Sequence, residues 1–347
     1  GTTTIVGATH LQSTVSVGGA ATFASTVTVV DNAVFTADIV KKTAGTSNFA
    51  AGVNAGDSIE SGGNYNVAVG DEAGTALTTG DNNTFVGYAA GDAQTTASNN
   101  VAVGQNALGA NTTGTNNVAI GAGALATCTT DGNHLIGIGY QALAAAADSQ
   151  FCVAIGKDAG LSITSGDSNV LIGYHAGDAV TTGGANVIIG TAAGGAQTTA
   201  SENVIIGNNA AAALTTGGQS IYIGDNAAAS GIITGIRNVV VGDNALYSVV
   251  GAGGNIAIGY ASGNAVTSGD NNTLVGTASG DAITTGANNV AIGNDAGGAI
   301  TTASGALCLG QLAGNNLTTG GGGNAIYLGQ GSQASAADVG GHEVVIG

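Results

Sequence analysis

A short motif of the form Val-Ala-Ile-Gly returns along this chain every 17 residues, and no other feature limits its folding so tightly. With the closing glycine as anchor, the series runs Gly70, Gly87, Gly104, Gly121, Gly139, Gly156, Gly173, Gly190, Gly207, Gly224, Gly242, Gly259, Gly276, Gly293, Gly310, Gly329 and Gly347. The interval is 18 at Gly121–Gly139, Gly224–Gly242 and Gly329–Gly347, and 19 at Gly310–Gly329. The consensus is G-x-x-A-G-x-A-x-T-T-G-x-x-N-V-A-I. A repeat this short cannot enclose a core of its own, so neighbouring repeats must stack to bury one.

Each position of the consensus has a physical reading. Val-Ala-Ile predicts a short strand whose β-branched residues face a narrow interior. The anchor glycine ends that strand where the backbone needs positive φ or close approach. Alanine three residues on (Ala73, Ala90, Ala107, Ala124, Ala142, Ala159, Ala176) suits a tight corner. An apolar residue seven after the anchor (Leu77, Val180, Leu214, Ile283, Ile300, Leu317) supplies a second wall, and Thr-Thr-Gly ends a second strand. The expectation is an all-β fold: a parallel β-solenoid or β-roll, two strands and two turns per coil. Sixteen intervals at the strand spacing give a rod of roughly 75–80 Å.

Asparagine four residues before the anchor is the most regular polar position: Asn66, Asn83, Asn100, Asn117, Asn169, Asn186, Asn203, Asn238, Asn255, Asn272 and Asn289. Identical amides at the strand spacing can hydrogen-bond along the stack. Because the residue recurs everywhere rather than marking one place, it reads as scaffold.

A second pattern precedes the first. Thr2–Ser13, Thr14–Ser25 and Thr26–Ala37 align at a period of 12, with apolar residues at Ile5, Val17 and Val29 and at Leu11, Phe23 and Phe35. Three such coils hold too little core to stand alone, so intertwining with identical chains is expected. The domain reading is a β-repeat shaft segment over 1–40, a joint over 41–63 and the 17-residue solenoid over 64–347.

Composition narrows the function classes. Of 347 residues 63 are Gly, aromatics are 4%, and Pro, Met and Trp are absent, so side chains to fill a thick enzyme core are missing. Four basic residues stand against 21 acidic ones, a net charge of −17, which excludes a nucleic-acid partner that would need Lys and Arg. No apolar run reaches the roughly 18–20 residues of a membrane-spanning helix. The absence of Met implies a processed chain or part of a longer one. The final anchor, Gly347, carries no polar cap, so the native chain is expected to continue or to be covered by another.

At these residues the chain resembles known families. The Asn-Asn-Val-Ala-Ile-Gly motif over 116–121 and its repeats are similar to the head repeats of trimeric autotransporter adhesins, although those are shorter and lack the Thr-Thr-Gly segment. The form running from Leu77-Thr78-Thr79-Gly80 to Val86-Gly87-Tyr88 looks more like repeats of bacteriophage tail fibres, as does the N-terminal pattern TVSVGGAATFASTVTV. The resemblance implies an elongated, virion-borne or extracellular homotrimer whose partners are its own copies, other fibre proteins and a cell-surface glycan. It carries over no catalytic residue and no cofactor.

The chemistry-bearing residues give little toward an enzyme. Cys128, Cys152 and Cys308 lie seven after, four before and two before an anchor, without metal-ligand spacing, and read as small buried thiols replacing Val, Asn or Ala. His10, His134, His175 and His342 are scattered. Asp92, Asp178 and Asp281 fall five after an anchor but face Gly in the next coil, so paired carboxylates for glycoside hydrolysis do not form there. Asp225 and Asp243, with Arg237 between them, read as a neutralised charge cluster. Tyr88, Tyr140, Tyr174 and Tyr260 each follow an anchor directly, where an exposed ring could stack on a sugar. The recurring Thr-Thr pairs raise ice binding as a third class, but adjacent threonines alternate faces. The sequence therefore predicts a non-enzymatic structural fibre, most simply a tail-fibre shaft in host attachment, with a bacterial surface adhesin or filament as the alternative.

Overall fold

The structure is a computed structural model that describes residues 44–129, 132–317, 324–333 and 342–347. The 12-residue pattern, Lys41-Lys42, His10 and the pair Thr318-Thr319 lie outside the described residues.

The strands are β1 (Phe49–Ala51), β2 (Val67–Val69), β3 (Thr84–Val86), β4 (Val101–Val103), β5 (Val118–Ile120), β6 (Ile136–Ile138), β7 (Val153–Ile155), β8 (Val170–Ile172), β9 (Val187–Ile189), β10 (Val204–Ile206), β11 (Ile221–Ile223), β12 (Val239–Val241), β13 (Ile256–Ile258), β14 (Thr273–Val275), β15 (Val290–Ile292), β16 (Leu307–Leu309), β17 (Ile326–Leu328) and β18 (Val344–Ile346). They form one parallel sheet of 18 strands in which neighbours in sequence are neighbours in space. Register is exact from coil to coil, as in Val187↔Val204↔Ile221 and Ile188↔Ile205↔Tyr222. This is the β-solenoid that the 17-residue period requires.

Three details differ from the sequence reading. First, each coil has one strand rather than two. The Thr-Thr segment runs opposite as turns and bends, joined to the next coil by bonds such as Thr78 N–H to Thr95 O at 2.8 Å. Second, the solenoid begins earlier than residue 64: β1 lies within the stretch read as a joint and pairs in register with β2. Third, the strand faces are reversed. The middle residue is the buried one (Ala68, Phe85, Leu171, Ile188, Tyr222), and the β-branched residues beside it face outward. The ladder asparagine decides this parity, because residues two apart on a strand share a face and the asparagine already points inward.

The interior is lined at fixed phases. The alanines three after the anchor and the apolar residues seven after it, Leu77 and Val180 among them, are fully buried, as the sequence reading placed them. A further interior position lies four after the anchor, and in some coils it compensates for the strand's middle residue. In three consecutive coils whose middle residue is small (Ala102, Ala119, Gly137), leucine fills the gap (Leu108, Leu125, Leu143), whereas Ala68, Ala154, Ala257 and Ala291 are followed by glycine at that position. Where it is large, as in Phe85, glycine stands at Gly91, whose added Cβ would lie 2.7 Å from the ring. The backbone at this phase is left-handed, φ 59° at Gly91 and 56° at Leu108, so each leucine accepts a strained conformation for the packing it provides.

The anchor itself needs glycine on both grounds. Gly87 has φ 133°, and a Cβ there would lie 2.7 Å from the carbonyl oxygen of Gly104 in the next coil. Length variation is absorbed opposite the strand: in the coil after Gly224, Ile233 takes the buried place that Leu214 holds one coil earlier, and Ile232 is pushed into solvent.

Candidate interaction surface

The asparagines form an internal ladder and are closed to any ligand. All eleven are buried. Each Oδ1 accepts the backbone N–H of the ladder residue one coil on, as in Asn83 N–H to Asn66 Oδ1 at 2.9 Å and Asn203 N–H to Asn186 Oδ1 at 3.1 Å. Each Nδ2 donates to a carbonyl of the next coil's far side, such as Asn186 to Ala200 O at 3.0 Å. The amide thus ties strand to opposite wall. Direct amide–amide bonds occur only at some steps, including Asn289 Nδ2 to Asn272 Oδ1 at 3.1 Å. Asn48 extends the ladder into the first coil, bonding Asn66 N–H and Gly63 O, each at 2.8 Å.

The cysteines are buried and free. Cys152 stands in the ladder, its Sγ 3.2 Å from Gly166 O and 3.5 Å from Asn169 N. Burial pushes the Cys128 thiol up to about 11 and that of Cys308 up to about 12. Such thiols are poor nucleophiles. Among the described residues no group of three or more His, Cys, Asp and Glu is placed to hold a metal ion.

The outward face of the sheet is uniformly apolar. Every outward position of β2–β18 is Val, Ile or Leu except Thr84 and Thr273. These side chains are half-buried or exposed, with 38% at Ile120 and 41% at Ile292 along the stack and 76% at Ile346 in the last strand. The result is a flat strip two side chains wide along the whole stack. At a few tens of Å² per side chain its area is on the order of 1,500 Å², where a single monomer seldom leaves more than about 300–600 Å² in one apolar patch.

Beside the strip, at the position just after the anchor, stand the four predicted tyrosines. Tyr88, Tyr140, Tyr174 and Tyr260 are all about half exposed. The structure brings two of them together. Lys157 occupies the same phase in the coil between Tyr140 and Tyr174, with its Nζ 5.9 Å from the first ring centroid and 5.2 Å from the second. Its ammonium meets Asp158 at 2.8 Å, and that hydrogen bond holds the lysine above its usual range. His175 Nδ1 lies 2.7 Å from Asp178 and its Nε2 3.6 Å from Asp158. Tyr88 stands apart, its phenol raised chiefly by the negative charge of Glu72. The Tyr-Lys-Tyr row was missed in the sequence, where aligning consecutive anchors would have displayed it.

The expected cluster of Asp225, Asp243 and Arg237 does not form. Arg237 Nε reaches Gln219 at 3.4 Å, while Asp225 accepts from Asn208 and Asp243 from Asn244. Arg237 sits five residues before its anchor, and the aspartates one after theirs, so they lie at different corners of the coil. In the pairs that begin at Thr78, Thr95, Thr181, Thr215 and Thr284 the first hydroxyl is used internally, as in Thr181 Oγ1 to Thr198 O at 3.1 Å, and the second threonine is exposed.

No family model, no curated protein and no solved structure matches this chain.

Proposed function

We propose that this chain is the stiff shaft of a non-enzymatic fibre, assembled from identical copies that cover one another's apolar strips. The observation that carries the reading is the strip itself: an area on the order of 1,500 Å² is about twice the roughly 800 Å² that each partner contributes to a standard stable interface. A flat, regular, uncharged strip suits another copy of the same regular surface better than an irregular partner. The copy number of three comes from the resemblance to trimeric autotransporter heads, and the setting, a tail fibre in host attachment, from the resemblance to phage fibres.

The mechanism is stiffness. Strand, ladder and opposite wall are each bonded to the next coil, so bending must strain several in-register rows together. Ice binding finds less support, since the exposed Thr row is one residue wide and broken by Asp148 and Gly251. The reading is tested by placing lysine in the strip. Val204→Lys with Ile206→Lys is expected to keep the circular dichroism of the wild type while lowering the particle mass measured by light scattering. Unchanged mass in that variant would overturn the strip as the contact surface.

A further inference from the structure

The Tyr140–Lys157–Tyr174 row is a built feature that the shaft reading does not use. The scaffold does not require charge here: the phase just after the anchor takes Gln105, Ala122, Thr191 and Asn208 as well as Asp71, Asp225 and Asp243, and the next phase takes Ala89, Asn106, Ala192 and Asn209 as well as Glu72 and Asp295. Yet at this one place two half-exposed rings flank an ammonium, and a histidine bridges two carboxylates behind it. Asp158 is nearly buried, with a side chain 7% exposed, and its Oδ1 has no hydrogen-bond partner. Burying a carboxylate with an unmatched oxygen is a cost that the coil does not require of this phase.

We propose that this row is a docking platform for a neutral, extended glycan lying along the coil axis. Tyr140 and Tyr174 occupy one phase two coils apart, so their rings repeat at roughly 9–10 Å, twice the strand spacing. That interval matches alternate sugar rings of an extended chain, each laying its C–H face on a tyrosine. A phenol ring offers such a face together with a polar edge. Between the rings, the Lys157 ammonium donates to ring hydroxyls, and Asp178 and His175 accept from or donate to the sugar nearest Tyr174. The ion pair with Asp158 fixes the lysine between the rings and leaves part of its donor capacity free. Charge argues for a neutral ligand: Asp158 and Asp178 outweigh Lys157 locally, and the chain carries −17, so a uronic-acid or sulfated chain would be repelled. This inference rests on the copies that cover the strip leaving the neighbouring row open to solvent.

The test uses the full chain, whose tyrosine fluorescence is readable because Trp is absent. The probes are the hexasaccharides of cellulose, chitin and amylose, with an oligogalacturonate of the same length as the acidic counterpart. The expected result is saturable binding of at least one neutral hexasaccharide and weaker binding of the oligogalacturonate. Tyr140→Ala and Tyr174→Ala should each weaken that binding by about three- to tenfold, the worth of one lost ring contact. Tyr88→Ala and Tyr260→Ala, at the same phase but without Lys157, should leave it unchanged. No saturation by any neutral probe up to ~10 mM, well beyond a millimolar site, would overturn the proposal. So would equal losses in all four variants, or preference for the acidic probe. Particle mass is read in parallel and should not move in the tyrosine variants, which separates failure here from failure of the shaft reading.

Discussion

Asn186 shows how much one side chain carries at the residue scale. Its Oδ1 holds the N–H of Asn203, and its Nδ2 holds the carbonyl of Ala200 and the Oδ1 of Asn169. Replacing it by alanine orphans buried groups in adjacent coils. Asn186→Ala should therefore lower stability by about 2–4 kcal/mol, read as a fall in denaturant midpoint. The contact between Phe85 at the strand centre and Gly91, four after the anchor, makes a sharper expectation. Gly91→Leu alone should unfold its coil against Phe85, whereas Phe85→Ala with Gly91→Leu reproduces the Ala102/Leu108 pairing and should regain most of the lost melting temperature. The thiols give a pH dependence. Burial raises Cys308 from an ordinary 9.0 to about 12, so the protonated thiol stabilises the fold fully below pH 9 and that contribution drains away between pH 9 and 12. Unfolding midpoints of Cys308→Ala should fall less steeply than wild type across that window. At this scale the ladder and the thiol positions were legible in the sequence. The division of labour in Asn-Asn was not: the first asparagine, such as Asn82 at φ 58° or Asn288 at φ 59°, serves a left-handed turn, and only the second enters the ladder.

At the scale of the element, the strand's two faces were assigned the wrong way round. Size alternation in Val-Ala-Ile suggested that bulk goes inside, because β-branched residues ordinarily fill a core. The rule that wins is parity, since the ladder asparagine and the strand's middle residue lie two apart and must share the inner face. A coil this thin admits one strand side chain, and the chain tunes that one from Ala68 to Tyr222. Substitution at neighbouring positions separates the faces. Ile188→Lys should abolish folding of the central coils, seen as lost circular dichroism, whereas Ile189→Lys should fold and only weaken association. The supposed second strand failed for a related reason. Thr-Thr-Gly is a β-like composition, but left-handed residues and turns interrupt that side of each coil, leaving only isolated bridges such as Leu214↔Ile233.

For the whole molecule, periodicity alone carried the architecture, because a 17-residue unit has no stable solution except stacking. The strip could not be read until the parity was known, and the Tyr140–Lys157–Tyr174 row could not be read until coils were laid over one another. Both follow from exact register, which turns any recurrence in sequence into a line on the surface. The measurement that bears most directly on the shaft reading is the mass and outline of the particle in solution, by light scattering with electron microscopy. The account expects a discrete straight rod whose mass is three times the 32.6 kDa chain, and which falls toward the single-chain mass when the strip carries lysine. A stable, monodisperse particle of one 32.6 kDa chain, soluble with its strip uncovered, would contradict it.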